Sequence, residues 1–592
     1  MMTQASPQAP AAIPSIEPSP ARVRDLIPPD STTAELDKAL ADLEAHRRAW
    51  VDLELADRRA ILQEVMKDFA GVAERWYERG RDAEGLPTDM PQAAEEWLSG
   101  PYMVLRNLTL LDRALGEIAR SGAPKIPGPV TERPDGTTVA QVFPTDGWDQ
   151  LFYAGVTGEV WMQPGVTPST LKETMAVAYQ GGADADGGCC LVLGAGNVSS
   201  IGPMDVLYKL FVEHKTTLLK MHPVNAYLGP LITEGFQALV DWGVLRVVYG
   251  GVDVGQYLCE HPDITEIHIT GSDKTVDAIV FGPGPEGQER KRKRRPRNKT
   301  PISSELGNVS PVIVVPGPWS AGDLAFQGEN IASMLTNNAG FNCNAARVVI
   351  QHSGWKKRAP LLDQVRRVLR STPTRYAYYP GAAERWAAFV DAHPEAEQLG
   401  RPRDSDLPWT LIPDVDPSHR DDICFREEAF CSVLAETGLD AADPAEFLDR
   451  AVELCNNTLW GTLNAAILVH PKSLAQPKLR AAFERALENL HYGTIGVNAW
   501  PAVGYGLVVT PWGAPPGHDI YDIQSGTGEV HNTLMFSRIQ KAVVRVPFRM
   551  RPKPLWFASH RTALAMAERV TRFEVEPALT KLPGIFWEAL RG

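Results

Sequence analysis

Between residues 189 and 317, short apolar segments recur with helix-length stretches between them. This alternation constrains the fold more than any other feature of the chain. The segments read CCLVLGAGN, TTLLKMHP, LRVVYGG, ITEIHITGS and PVIVVPG. Strands that alternate with helices predict βαβ units and a parallel sheet. Because the segments lack strict polar alternation, we expect strands that are buried on both faces. The predicted fold class is therefore α/β.

Regions with other sequence patterns lie on both sides of these apolar segments. Residues 31–120 have intermittent helical periodicity, which begins at a capping box formed by Thr32 and Glu35. This region predicts a layer of helices on the outside of the fold. A second region of strands and helices extends to about residue 500. The segment QKAVVRVPFRM (540–550) alternates well enough to predict an exposed strand that pairs with another.

Composition excludes several classes of protein. A formal net charge of −13 argues against nucleic acid as the main partner. The seven cysteines are scattered, without the CxxC or histidine spacing of a zinc site, so we expect neither a metal nor a disulfide framework. A reducing, cytoplasmic location is expected. No apolar run is long enough to predict a membrane span. Residues 1–30, rich in Pro, Ala and Ser, predict a disordered tail.

Residues 283–300 interrupt the strand pattern with the basic sequence PGPEGQERKRKRRPRNKT. Charge runs of this kind are usually solvated surface, and that is the first interpretation. The alternative is a patch for a polyanion or an acidic partner, and the sequence does not separate the two.

Cys343 lies in NNAGFNCNAARVV (337–349), between two asparagines and three residues after a glycine. A thiolate needs an environment that stabilises negative charge, and backbone N–H groups of a glycine-containing turn can provide it. The segment therefore predicts a turn, a candidate nucleophile and a strand. Taken alone, a buried and inert cysteine fits the same residues.

Two further motifs precede this cysteine. In SSELGNVSPVIVV (303–315), Glu305 stands before a strand, where a carboxylate can activate water; an ordinary solvated glutamate is the alternative. In HITGSDKT (268–275), Gly271 and Ser272 form a turn that can receive a pyrophosphate; a plain βα turn is the alternative.

The order of these motifs is more specific than each motif. TGS, then ELG, then a cysteine in N-x-G-x-x-C resembles the aldehyde dehydrogenase superfamily, over roughly residues 135–550. Asn197 and Lys220 lie 23 residues apart (220 − 197), which matches the spacing in that family. REEAFCSVL (426–434) is similar to the family's E-x-F-G-P-V motif, although the Gly-Pro is missing.

The resemblance implies a reaction and a set of roles. Cys343 would attack an aldehyde to form a thiohemiacetal, the side chain of Asn197 and the backbone N–H of Cys343 would hold the oxyanion, and Glu305 would activate water to hydrolyse the resulting thioester. The implied cofactor is NAD or NADP. The implied cofactor-binding residues are Lys220, Gly271, Ser272, Leu306, Glu428 and Phe430.

The same resemblance implies an organisation and partners. It predicts a tail (1–30), a Rossmann-type cofactor domain with the helical layer (31–305), a catalytic αβ domain (306–510), and an oligomerisation strand with a C-terminal extension (511–592). Residues 135–150 would contribute to a strand-pairing oligomerisation arm. We expect a homodimer or a homotetramer. The apolar C-terminal segment LPGIFWEAL is a candidate for peripheral membrane contact, with docking on the protein's own surface as the alternative.

Departures from the family pattern keep alternatives open. Pro223 replaces a glutamate that favours NAD, so NADP is plausible. Cys343 and Arg347 are one residue closer than is common, and Val276 stands where glycine is frequent. A CoA-acylating relative, or acyl-CoA reductase, is the nearest alternative function, although Glu305 favours water as the acceptor. A non-catalytic scaffold is the alternative of another class.

Overall fold

The computed structural model describes residues 21–181 and 187–592. Most of the tail predicted for residues 1–30 lies outside these ranges. Its last ten residues are described, and there the structure differs from the prediction. Ala21–Leu26 form a 3-10 helix, and the side chain of Val23 is only 1% exposed because it packs into the largest hydrophobic core.

The elements of the described residues are numbered in chain order. The helices are α1 (Thr33–Val51), α2 (Leu55–Ala83), α3 (Ala94–Trp97), α4 (Met103–Ser121), α5 (Gly147–Phe152), α6 (Ile201–Phe211), α7 (Gly229–Gly235), α8 (Gln237–Asp241), α9 (Val252–Cys259), α10 (Asp273–Phe281), α11 (Gly284–Arg292), α12 (Ala321–Thr336), α13 (Arg358–Ser371), α14 (Ala382–Ala392), α15 (Ile423–Arg426), α16 (Pro444–Asn457), α17 (Pro477–Asn489), α18 (Ala502–Leu507), α19 (Ala563–Val575) and α20 (Leu582–Arg591). The strands are β1 (Val130–Glu132), β2 (Thr138–Phe143), β3 (Thr157–Met162), β4 (Cys189–Leu193), β5 (Thr216–Lys220), β6 (Leu245–Val248), β7 (Glu266–Gly271), β8 (Ile302–Leu306), β9 (Pro311–Val314), β10 (Val348–His352), β11 (Arg375–Tyr376), β12 (Glu397–Leu399), β13 (Asp406–Leu407), β14 (Trp409–Val415), β15 (Val433–Leu439), β16 (Asn464–Leu468), β17 (Thr494–Val497), β18 (Pro511–Gly513), β19 (Glu529–His531) and β20 (Ile539–Arg545).

The helical layer begins at the predicted capping box, which is confirmed. The N–H of Glu35 donates to Thr32 Oγ1 at 3.4 Å, and the N–H of Thr32 donates to the Glu35 carboxylate at 2.8 Å. Helix α2 buries aromatic side chains along one face, and its Phe69 ring lies 5.8 Å from that of Phe236. Burying this face of α2 holds the layer against the first sheet.

Five parallel strands form the first sheet, in the order β6-β5-β4-β7-β8. The chain runs outward from β4 to β6 and then returns to the other side of β4 with β7. Ligands of such sheets bind beyond the carboxyl ends of the strands, where the order reverses. Here that switch point lies between β4 and β7, next to Gly271 and Ser272. The predicted α/β fold with a parallel sheet is confirmed.

Eleven strands form the second sheet, in the order β1-β2-β3-β20-β17-β16-β9-β10-β15-β14-β12. Strands β20, β17, β16, β9, β10, β15 and β14 run parallel to their neighbours in this series. The central strands are almost fully buried, as the apolar pattern of PVIV in β9 requires. The turn that carries Cys343 leads directly into β10.

The predicted oligomerisation arm occupies a different place from the one expected. Strand β20 is not an exposed edge. It lies inside the second sheet, antiparallel to β3 and parallel to β17 of the same chain, with Ala542 opposite both Val160 and Thr494. Both faces of β20 carry buried side chains, and its backbone groups are paired on both sides. The pairing that we expected between subunits is therefore formed within the chain.

The C-terminal extension folds back on the protein. Phe573 of α19 packs edge-on against Trp148 and Phe152, at centroid distances of 5.2 and 5.1 Å. The final helix, α20, leaves Trp587 61% and Leu590 76% exposed. None of the described helices combines the length and the apolar character that crossing a bilayer requires.

The basic segment is partly neutralised within the chain. It contains α11, and its cations pair with acidic side chains of neighbouring elements. Lys291 Nζ lies 2.8 Å from Asp277, Arg294 lies 3.3 Å from Asp519, and Arg297 pairs with Glu260. This part of the surface is therefore an ordered ion-pair network, which agrees with the first interpretation of the sequence.

Candidate active site

Cys343 is held by a tightly turned loop between α12 and β10. Asn338, Ala339 and Gly340 adopt positive φ angles of 49°, 52° and 84° in succession. A side chain at residue 340 would collide with the backbone of Cys431, so this position requires glycine. The predicted turn, cysteine and strand are all found in place.

Hydrogen bonds fix the peptide groups around the cysteine. The carbonyl of Cys343 accepts bonds from Ser310 Oγ at 3.2 Å and from Asn464 Nδ2 at 3.1 Å. The buried guanidinium of Arg347 donates to the carbonyls of Gly340 and Cys431, at 2.6 and 2.7 Å. The loop is thus tied to the residue before β9, to β16 and to the segment before β15. This orients the thiol independently of any ligand.

Asn197 is bonded directly to the same loop. The side-chain amide of Asn197 donates to the backbone carbonyl of Phe341 at 2.9 Å. The backbone carbonyl of Asn197 accepts a bond from Asn338 Nδ2 at 2.7 Å. An amide group carries two N–H donors, so the bond to Phe341 leaves one for an oxyanion near Cys343. The sequence spacing alone did not reveal this reciprocal pair of bonds.

Glu305 is the last residue but one of β8 and is buried, with 3% of its surface exposed. The indole N–H of Trp512 donates to Glu305 Oε1 at 3.1 Å. Burial raises the pKa of Glu305 to about 8, while hydrogen bonds from Trp512 and from the thiol of Cys343 act in the opposite direction. The carboxyl group is therefore within reach of the thiol and is set to hold or release a proton near neutral pH.

The thiol of Cys343 is electrostatically coupled to this carboxyl. Burial raises the pKa of Cys343 well above its usual value, and the charges of Glu305 and Glu428 raise it further. A thiol in such surroundings stays protonated until a base takes its proton or a positive charge enters the site. Glu305 is the base within hydrogen-bonding reach.

One cavity of about 1050 Å³ joins these groups to the edge of the first sheet. All nine residues that the sequence predicted for the site line this cavity. They are Asn197, Lys220, Gly271, Ser272, Glu305, Leu306, Cys343, Glu428 and Phe430. The fold therefore brings together residues that are up to 233 positions apart in the chain (430 − 197).

Other residues that line the cavity can bind a polar ligand. Ser272 caps the N-terminus of α10, where the N–H of Thr275 donates to Ser272 Oγ at 3.2 Å. Lys220 is 8% exposed, and burial lowers its pKa. Within the described part of the chain, no hydrogen bond or ion pair satisfies its amino group. An amino group in this state is a ready donor to a ligand.

One carboxylate oxygen of Glu428 also lacks a hydrogen-bond partner among the described residues. Its buried Oε1 accepts no hydrogen bond from any described residue, and burial raises its pKa to about 7. Its Oε2 lies so close to Gly307 that a Cβ at residue 307 would overlap it. The glycine of the ELG motif therefore makes room for the carboxylate, which faces the cavity.

Sequence reasoning missed several residues that shape the site. Ser310 stands only five positions after Glu305, so a local signal was present. Trp512 gave none, because 207 residues separate it from Glu305. His222 lines the cavity and stacks on Tyr379 at 5.9 Å. Its ring fits only because residue 196 is glycine.

Comparisons with known proteins agree with this architecture. Residues 189–373 match the model of the aldehyde dehydrogenase family. The chain is 30% identical to human 4-trimethylaminobutyraldehyde dehydrogenase over 258 residues, which cover 40% of this chain and 47% of that protein. It is 26% identical to 1-pyrroline-5-carboxylate dehydrogenase from Geobacillus thermodenitrificans (strain NG80-2), over 48% of this chain and 53% of the relative. The aligned part therefore spans about half the length of these curated relatives.

Solved structures are similar over most of the chain. The NAD-dependent aldehyde dehydrogenase from Sinorhizobium meliloti has a TM-score of 0.57 and 19% identity, and the match covers 88% of this chain and 89% of that one. The salicylaldehyde dehydrogenase from Pseudomonas putida G7 has a TM-score of 0.55 and 14% identity, over 88% and 92% of the two chains. At this identity the likeness concerns the fold. Taken together, the comparisons show that residues 189–373 match the aldehyde dehydrogenase family and that the chain has the fold of solved aldehyde dehydrogenases.

Proposed function

We propose that the protein is an NAD(P)-dependent aldehyde dehydrogenase that oxidises an aldehyde to a carboxylic acid. The observation that supports the proposal is one cavity lined both by Cys343, Asn197 and Glu305 and by Lys220, Ser272 and the other residues predicted for a dinucleotide site. A scaffold protein would need neither a coupled thiol and carboxyl nor unpartnered polar groups in the same cavity.

The residues present fit a dinucleotide. The unpartnered Oε1 of Glu428 and the unpartnered amino group of Lys220 suit the hydroxyl groups of ribose. The N-terminus of α10 at Ser272 offers backbone N–H groups to a pyrophosphate. When bound, the dinucleotide supplies the acceptor for the aldehyde hydrogen. Position 223 is proline and carries no carboxylate that would repel a 2′-phosphate, so both NAD and NADP are assayed.

The chain's own groups account for the chemistry of the acyl group. Glu305 takes the proton of Cys343, and the thiolate attacks the carbonyl carbon to form a thiohemiacetal. The second amide N–H of Asn197 and the backbone N–H of Cys343 donate to the oxyanion. After oxidation to the thioester, Glu305 releases the first proton to solvent and then removes a proton from water, which attacks the acyl carbon. The carboxylic acid leaves, and the proton on Glu305 returns to the sulfur of Cys343.

Water is the proposed acyl acceptor rather than coenzyme A. Glu305 is buried next to the thiol, and its pKa of about 8 suits a base at neutral to alkaline pH. An acyl transfer to coenzyme A has no need of this carboxyl. The acceptor is tested by measuring NAD(P)H production from aldehydes of graded chain length, with and without coenzyme A. Production that depends strictly on coenzyme A contradicts the proposal.

The nucleophile is tested by Cys343→Ala, with Cys455→Ala as a matched control in the core. We expect turnover to fall by several orders of magnitude in the first variant only. Dinucleotide binding, measured by fluorescence titration, is expected to persist in both variants. Unchanged turnover in Cys343→Ala would remove the mechanism.

The proposal also includes association between subunits and contact with a membrane. A homodimer or homotetramer is proposed from the family resemblance, but β20 is already paired on both sides within the chain. Subunits would therefore associate through another surface. The proposed peripheral membrane contact rests on the exposed side chains of Leu579, Trp587 and Leu590. Sedimentation with and without phospholipid vesicles tests both.

A further inference from the structure

Three potential metal ligands meet near the cavity but outside the residues described so far. We call His393, Asp422 and Cys424 the His393 cluster. One ligand atom from each residue, nitrogen, oxygen and sulfur, lies within 4.8 Å of the other two. His393 Nε2 and Asp422 Oδ1 are hydrogen-bonded at 3.1 Å. The residues are 29 and 31 positions apart in sequence (422 − 393 and 424 − 393), so no local motif indicated them.

The local structure holds these ligands in place. His393 follows the last residue of α14, and Asp422 caps α15, accepting the N–H of Cys424 at 2.8 Å. His393 is 8% exposed and Cys424 only 2%. Asp422 is partly exposed, with 16% of its side chain accessible, so the cluster is buried on two of its three sides and joins the end of α14 to the start of α15.

A fourth residue supports the assignment independently. His393 Nδ1 lies 2.9 Å from the Glu395 carboxylate. Metal-binding histidines almost always donate the ring N–H that does not face the metal to a carboxylate, a carbonyl or water, which fixes the ring and directs the other nitrogen at the ion. Here that other nitrogen, Nε2, is the one that points to Asp422 and the cysteine.

The donor set selects the metal. A thiolate, an imidazole and one carboxylate are the ligands of a borderline-soft divalent ion, whereas Mg²⁺ and Ca²⁺ prefer sites made of oxygen alone. Zinc bound by three protein ligands keeps a fourth position for water. We propose that His393, Asp422 and Cys424 bind one zinc ion, and that Glu395 orients His393. On binding, the ring proton on Nε2 and the thiol proton leave to solvent.

The His393 cluster joins two helices that line the cavity, so bound zinc would affect the walls of the cavity. Helix α14 lines the cavity with Arg385, Ala388 and Phe389, and α15 lines it with Ile423 and Arg426. A metal that links the end of α14 to the start of α15 would hold these two walls together. Glu428 follows α15 by two residues. This prediction rests on the proposed function. Bound zinc is expected to increase the affinity for the dinucleotide, because the cavity walls are then already ordered and dinucleotide binding loses less conformational entropy.

Metal content tests the site itself. The purified full-length protein is loaded with Zn²⁺, dialysed, and analysed for zinc per chain. We expect one equivalent in the wild type, in Cys455→Ser and in Cys343→Ser, which removes the cavity thiol. We expect none in Cys424→Ser or His393→Gln. Equal zinc content in Cys424→Ser and in the wild type would overturn the site.

Cobalt absorption tests the site in the wild-type protein, so this measurement does not depend on whether a variant folds. Co²⁺ bound to a thiolate absorbs in the near ultraviolet through sulfur-to-metal charge transfer. The band is expected in wild type, Cys343→Ser and Cys455→Ser, and its absence from the wild type contradicts the proposal.

Dinucleotide dissociation constants with zinc and with a chelator then test the coupling between zinc and the dinucleotide. Bound zinc with an unchanged dissociation constant rejects the coupling alone, and an absence of dinucleotide binding with zinc still bound rejects the proposed function alone.

Discussion

The indole N–H of Trp512 and the carboxyl group of Glu305 form a hydrogen bond of 3.1 Å in the buried interior of the site. This bond stabilises the ionised carboxylate and so lowers the pKa of Glu305, against a burial effect that raises it to about 8. Trp512 is fully buried and packs edge-on against Tyr505 at 5.6 Å. The strength of the base therefore depends on a residue far from it in sequence.

Trp512→Phe should move the pH dependence of hydrolysis to higher pH. Without the indole N–H, the pKa of Glu305 rises further, so a higher pH is needed to ionise the base. A hydrogen bond to a charged group is worth about 1.5–3 kcal/mol, which corresponds to a shift of roughly one to two pH units. The measurement is kcat at saturating substrate across pH. Trp409→Phe, which removes a buried indole bonded to Thr372, is the control. Superimposable profiles for Trp512→Phe and the wild type would contradict the assignment.

Glu305→Gln should change how stability depends on pH. The pKa of Glu305 is raised from an ordinary 4.5 to about 8 in the folded protein. Below pH 4.5 both folded and unfolded chains hold the proton, and the contribution of the neutral carboxyl is intact. As the pH rises toward 8, the unfolded chain loses its proton first, so this contribution to the free energy of unfolding is lost.

Denaturant unfolding of wild type and Glu305→Gln between pH 4.5 and 9 measures this effect. We expect the glutamine variant to lose less stability across the range than the wild type does. Replacing the exposed Glu74 on α2 by glutamine is the control and should leave the curve unchanged. Parallel curves for Glu305→Gln and wild type would show that the carboxyl is not held neutral by the fold.

The residues around Cys343 and Glu305 show which parts of the fold and site were predictable from sequence. The turn, Cys343 and β10 were predicted because φ-permissive residues, a reactive side chain and an apolar run stand next to one another. Long-range pairing was not predictable. The alternation in β20 indicates a strand, but it does not say which neighbours it meets, and the strand is interior rather than exposed. The same limit applies to Trp512 and to the His393 cluster.

Gly307→Ala should weaken dinucleotide binding. A Cβ at residue 307 would overlap Glu428 Oε2, and the carboxylate would have to move away from its place in the cavity. We expect the KM for the dinucleotide to rise about tenfold, which is the loss of roughly one hydrogen bond to a charged group, with a smaller effect on kcat. Gly71→Ala on α2, where no atom lies within 4 Å of the new Cβ, is the control. An unchanged KM would exclude Glu428 from the dinucleotide site.

Asn197→Ala should lower kcat by about 10²–10³-fold, which is the usual cost of removing one oxyanion donor. The substitution removes the amide that bonds to Phe341 and leaves the backbone carbonyl that accepts from Asn338, so the Cys343 loop keeps one of its two ties to this segment. Asn330→Ala, which removes a buried amide bonded to Gln327 outside the cavity, is the control. Because Asn197 acts on the charge that develops during reaction, dinucleotide affinity and the KM for aldehyde should change little. A variant that loses affinity in proportion to kcat would show instead that Asn197 serves mainly to hold the loop, and the oxyanion role would then pass to the backbone N–H of Cys343 alone.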